Sequence, residues 1–126
     1  MNVEISTGEF LDKLTILQIK AERISDLGKL ASINKELNLL TKLWQQSPHS
    51  ATDLDTEIAE LKKVNEALWD IEDDIRDKER NKIFDQGFIE LARSVYITND
   101  KRAEIKRAIN MKTGSELMEE KSYAEY

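Results

Sequence analysis

A chain of 126 residues has room for one hydrophobic core, and its four Gly, one Pro and 35% charged residues point to long solvated helices instead of turns and strands. The net charge of −6, with Lys and Arg interleaved among Asp and Glu, speaks against a nucleic-acid partner, and the absence of Cys excludes disulfides, thiol nucleophiles and Cys-ligated metals. No run approaches the roughly 18 apolar residues of a membrane span. The opening "MNVEISTGEF" has no basic segment followed by an apolar one, so a cytoplasmic protein without a membrane partner is expected.

In chain order, Ser6 and Glu9 have the spacing of a capping box and Ile5 and Phe10 that of a hydrophobic staple, which predicts a first helix over about 7–25. "SDLGK" turns the chain into a second helix over about 29–46, and "SPHSATD" ends it. Thr52 or Asp53 is placed to cap a third helix over about 53–82, and Asp85 a fourth over about 85–112, stopped by Gly114. The tail, 115–126, is left as a short helix or a loose end. Brief connections make neighbouring helices antiparallel, so the predicted fold is all-α, a single domain of two antiparallel hairpins, one short and one long. The short hairpin cannot cover the whole apolar stripe of the long one. The tail, with Leu117, Met118 and Tyr123, or a second subunit must cover the rest, and a homodimer burying Phe84 and Phe88 is expected.

Polar residues interrupt the apolar stripes at particular positions. On the first helix Asp12 and Arg23 share a face with Ile16 and Ile19, opposite Phe10, Leu14, Leu17 and Ile24, so this helix is apolar on two sides and belongs between layers. On the third, Leu54, Ile58, Leu61, Val64, Leu68, Ile71 and Ile75 define the core face, bordered by the line Asn65, Trp69, Glu72 and Arg76. On the fourth, Leu91, Val95, Thr98, Arg102, Ile105 and Ile109 form one stripe with Arg102 near its centre and Asn99 beside it. A guanidinium cannot shed its proton to escape burial, so Arg102 needs carboxylates, carbonyls, an anionic ligand or a route to water. Asp12, Arg23, Asn65, Glu72, Arg76, Arg93, Asn99 and Arg102 are therefore the candidate residues. They form either a structural ion-pair network or a cleft for an anionic small molecule with Glu72 as acid or base. In the simple hairpin register Arg102 lies level with Val64 and Asn65, about 12 Å along the helix from the level of Glu72.

No catalytic motif competes strongly with this reading. The one histidine, His49, sits beside Pro48 in a loop, which removes the Glu-x-x-His pairs of a di-iron bundle. Glu57 and Glu60 with Glu72 or Asp73 have the composition of a helical Mg²⁺ site, a spacing common on any acidic helix. Nucleophile motifs and Gly-rich phosphate loops are absent. The segment "FLDKLTILQIKAERI" resembles the first helix of the all-helical chorismate mutases, which bind a dicarboxylate through Arg and Lys, over that helix alone. The blocks "GEFLDKLTILQIKAERI", "NEALWDIEDDIRDKE", "FIELARSVYITNDKRAEIKRAIN" and "EEKSY", taken in order, resemble a family of short, uncharacterised bacterial and phage proteins of unknown function across nearly the whole chain. That resemblance implies a setting among surface-polysaccharide genes and supplies no activity, cofactor or catalytic residue. The expected function is that of a non-enzymatic binding or accessory protein with no cofactor and no metal. The alternative is a small helical enzyme or binder acting on an anionic metabolite or nucleotide, with or without Mg²⁺.

Overall fold

The computed structural model describes residues 1–126 as four α-helices and no strand: α1 Thr7–Arg23, α2 Leu27–Gln46, α3 Asp55–Arg80 and α4 Gln86–Thr113. A single 3-10 turn, Pro48–Ala51, links α2 to α3. The local signals explain most of the helix ends. Ser6 Oγ accepts from the Glu9 N–H at 3.1 Å, Asp26 Oδ1 from Lys29 at 2.8 Å and Asp85 Oδ1 from Phe88 at 3.0 Å, each satisfying a donor that has no partner within its helix. Asp26 starts α2 at Leu27, two residues before the expected start, and α1 correspondingly stops at Arg23 instead of 25.

The start of α3 also departs from expectation. Neither Thr52 nor Asp53 is its N-cap; Leu54 occupies that position with its side chain 1% exposed, and Asp53 Oδ1 accepts only a long bond from the Asp55 N–H at 3.3 Å. Burial of Leu54 in the core fixes the entry of the chain here, so packing takes over the role of the cap. Both long helices end in the same hydrogen-bond pattern. Ile83 donates to the Lys78 carbonyl and Lys82 to that of Glu79; Ser115 donates to the Asn110 carbonyl and Gly114 to that of Met111. This pairing needs a left-handed residue at the turn, which is Gly114 (φ 65°) after α4 but Lys82 (φ 55°) after α3.

The α1 helix is the centre of the molecule. It packs against α2 on one side and against both α3 and α4 on the other, while α3 and α4 pair as the long hairpin and α2 packs chiefly on α1. The core cluster, Leu11, Leu14, Leu54, Leu61 and Ile109, joins α1 to the lower halves of α3 and α4. Phe10 stacks on Trp44 of α2 with ring centres 6.2 Å apart. The α1 helix has 17 residues against 26 in α3 and 28 in α4, about 26 Å against about 39 and 42 Å. Arg23, the last residue of α1, reaches Asp70 at 2.6 Å and Glu66 at 3.9 Å. Beyond that level the long hairpin has no third layer, and residues 71–97 contain no buried side chain although they include Ile71, Ile75, Phe88, Leu91 and Val95.

Candidate functional site

The chemistry-bearing centre lies where the start of α1 meets the end of α4 and the middle of α3. Gly8 permits the contact. A Cβ at this position would stand 2.5 Å from the Lys106 carbonyl oxygen and 2.9 Å from Asn110 Oδ1, so only glycine lets α1 settle on α4 without moving backbone. The Gly8 N–H, one of the donors left free in the first turn of α1, donates to Asn110 Oδ1 at 2.7 Å.

One turn further along α1, the buried carboxylate of Asp12 is held from two sides. Asn65 Nδ2 donates to Asp12 Oδ1 at 2.9 Å and to Thr15 Oγ1 at 3.1 Å, and the Thr15 hydroxyl in turn donates to the Asp12 backbone carbonyl at 2.9 Å. From α4 comes Lys106, whose side chain is 8% exposed. Its ammonium lies 2.7 Å from Glu9, 3.3 Å from Glu119 and 3.8 Å from Asp12. Burial disfavours the charged ammonium, but the hydrogen bond to Glu9 and the charges of Asp12, Glu9 and Glu119 outweigh it, and the Lys106 pKa is raised. Burial likewise works against a charged Glu119, and the Lys106 ammonium overcomes it, lowering that carboxyl's pKa. Both groups stay ionised, and every buried side-chain nitrogen or oxygen of the molecule has a hydrogen-bond partner.

Of the residues selected from sequence, the structure brings Asp12 and Asn65 into direct contact. Arg102 stands one turn before Lys106, half-buried, in no ion pair; Asn99 is half-buried without a side-chain hydrogen bond. Arg23 belongs to a separate cluster, paired with Asp70 and Glu66 and lying 5.9 Å over the Trp69 ring. Glu72 and Arg76 pair with each other at 3.1 Å on the exposed face of α3, and Arg93 is exposed on α4. The eight residues therefore do not form one network or line one cleft. Glu57 is taken by Lys112, whose hydrogen bond holds that carboxyl below its ordinary range. Fifteen positions of one helix, about 22 Å, separate Glu57 from Glu72, so they cannot share a metal ion.

Lys106, Asn110, Thr15 and Gly8 were not among the residues selected from sequence. Lys106 and Asn110 lie about 60° and 100° round α4 from the line of Leu91 and Ile109, the direction from which α1 approaches. The signal available in sequence was the spacing of Lys106 and Asn110, four apart and each following an Ile or Ala–Ile pair that turns inward. Two open grooves of the molecule lie elsewhere. One of about 370 Å³ is bounded by Asp74, Asp77, Lys78, Asn81, Ile83 and Leu91 at the end of the long hairpin, and one of about 560 Å³ by Lys20, Ile24 and Lys29 at the α1–α2 turn. Neither touches the Asp12–Lys106 centre.

The chain belongs to a family of unknown function (DUF6165), whose pattern it matches over residues 1–126. No curated protein and no solved structure matches it. No helix is long and apolar enough to cross a membrane.

Proposed function

We propose that this family member is a non-enzymatic, cytoplasmic accessory protein, a helical scaffold that homodimerises through the unsupported end of its long hairpin. The observation that carries the reading is the contrast between the two ends of that hairpin. At the α1 end the polar groups of three helices pair with one another, whereas an active site needs them to converge on open space. At the other end Ile83, Phe84 and Ile89 are 43%, 57% and 48% exposed, and Phe84 meets Phe88 edge to face at 5.3 Å. Apolar side chains gathered at this end have the composition of an interface core. A second copy whose long hairpin lies alongside this one would complete a four-helix arrangement there.

Light scattering tests the reading: twice the chain mass of 14.6 kDa is expected at micromolar concentration, and one chain mass for Phe84→Glu. A wild-type monomer would overturn it. One observation favours the second reading, an anionic metabolite or nucleotide as ligand: Arg102 and Asn99 are half-buried on one face of α4 without side-chain partners. A thermal-shift screen of anionic metabolites and nucleotides, with and without Mg²⁺, separates the two, because a ligand of the folded state raises the midpoint.

A further inference from the structure

The C-terminal twelve residues carry no helix or strand, yet they are not free of the bundle. The left-handed Gly114 reverses the chain, and the tail runs back along α4. Glu119 meets Lys106 at 3.3 Å, Glu120 meets Arg107 at 2.7 Å, and the Tyr126 ring closes on Tyr96 with centres 5.2 Å apart. The Asp100 carboxylate beside the Tyr126 hydroxyl raises the phenol's pKa. From Arg107 to Tyr96 the tail follows about 17 Å of one helix.

The surface it covers is unusual for this chain. Residues 96–107, the stretch it follows, hold four cations (Lys101, Arg102, Lys106 and Arg107) and two acids (Asp100 and Glu104) in a protein of net charge −6, and the tail, "SELMEEKSYAEY", holds four acids and one Lys. The two segments are complementary, and the match includes an aromatic contact at the far end. Two neighbouring carboxylates followed at six residues by a Tyr whose ring edges Tyr96, although 78% exposed, make a linear pattern longer than a small anion can span. The contact is also incomplete: Arg102 lies near enough to Glu119 to help lower its pKa but makes no ion pair, so a cation is left over. A segment carrying one more carboxylate would use it.

We propose that the Arg102, Lys106 and Arg107 strip of α4, with Tyr96, is a binding site for an acidic, aromatic-ended peptide segment of a partner protein, and that the tail is its cis occupant, holding the site closed. The tail is suited to displacement. Its two pairing acids are about half or more exposed, with Glu119 at 47% and Glu120 at 72%, and exposed pairs are individually weak and screened by salt. Tethering keeps it in place, because a short linker gives an effective concentration in the millimolar range, which a partner must exceed. The inference does not depend on the hairpin-end dimer.

The test uses the full chain and a fluorescent synthetic peptide of residues 115–126 as probe. Glu119→Gln/Glu120→Gln loosens the strap without touching the core, since both side chains are exposed. Fluorescence anisotropy should show this variant binding the peptide about tenfold or more tightly than the wild type. Binding should weaken with added salt, disappear when the peptide itself carries Gln at those two positions, and fall again when Arg102→Gln is added to a loosened chain with unchanged circular dichroism. Equal binding by wild type and loosened variant, or binding by neither up to millimolar peptide, would overturn the proposal. Citrate or inorganic phosphate displacing the peptide at no more than its own concentration would also overturn it, in favour of a small-anion site.

Discussion

Replacing Lys106 with Met keeps an unbranched stem in the α1–α4 contact and removes only the charge. Its three acids respond differently. Glu9 and Glu119 are about half exposed and can turn to water, so losing the ammonium costs little at either. Asp12 has a side chain 8% exposed and would keep only the Asn65 amide for its carboxylate. Removing one partner of a buried pair typically costs about 3 to 5 kcal/mol, and because Lys106 also has two exposed partners the lower figure, about 3 kcal/mol, applies. A domain of this size has about 5 to 15 kcal/mol in total, so the loss is a large fraction of it. In urea unfolding with a slope of about 1.5 to 3 kcal/mol/M, the midpoint should fall by about 1 to 2 M. The double variant Asp12→Asn/Lys106→Met removes the stranded charge and should recover about 1 to 3 kcal/mol relative to additivity. A Lys106→Met midpoint within 0.2 M of wild type, or strict additivity in the cycle, would refute the buried-pair account.

Gly8→Ala should destabilise by about 1 to 3 kcal/mol although Ala is the better helix former, because the new methyl meets the Lys106 backbone; a lower thermal midpoint checks it. Lys82→Gly should stabilise by about 1 kcal/mol by relieving the left-handed side-chain residue at the end of α3, seen as a higher urea midpoint with unchanged slope. The Glu57 carboxyl is lowered from 4.5 by its hydrogen bond to Lys112, and Asp85 from 3.8 by the Phe88 N–H and then Lys78. Their stabilisation, with that of Glu119, is present above those ordinary values and lost as pH falls through the depressed ones. Lys112, raised from 10.5 first by its hydrogen bond to Glu57, and Lys106, raised despite burial, stabilise below 10.5 and stop doing so as pH rises through their folded values. The thermal midpoint should therefore be flat between about pH 5 and 10 and fall on both sides; a rise on acidification from pH 5 to 3 would contradict the assignment.

Sequence reasoning succeeded where a signal is local. Ser6 with Glu9, and Asp85 with Phe88, are contacts three residues apart, so their spacing alone locates the helix starts. The two-sided apolar pattern of α1 likewise predicted the layered position it occupies between α2 and the long hairpin. The buried charge was harder to read. Arg102 lies on the apolar stripe and was the natural choice, but the polar contacts with the start of α1 are made from the neighbouring side of α4, by Lys106 and Asn110. Their partners, Glu9 and Gly8, are 97 and 102 residues away, and no local spacing reports such a contact. Lysine and asparagine are also ordinary on a solvated face, so residue type gave no warning. Leu54 illustrates the same limit at a helix end, where tertiary burial displaced the polar caps that composition favoured.

The central claim is that a second copy covers the apolar end of the long hairpin. Hydrogen–deuterium exchange of the full chain over a dilution series from high micromolar to nanomolar concentration tests it most directly. Amides of residues 83–97 should be protected at high concentration and lose protection on dilution, while those around Leu11, Leu61 and Ile109 keep theirs, because the core cluster is buried within one chain. Exchange at residues 83–97 that is the same at every concentration would contradict the claim.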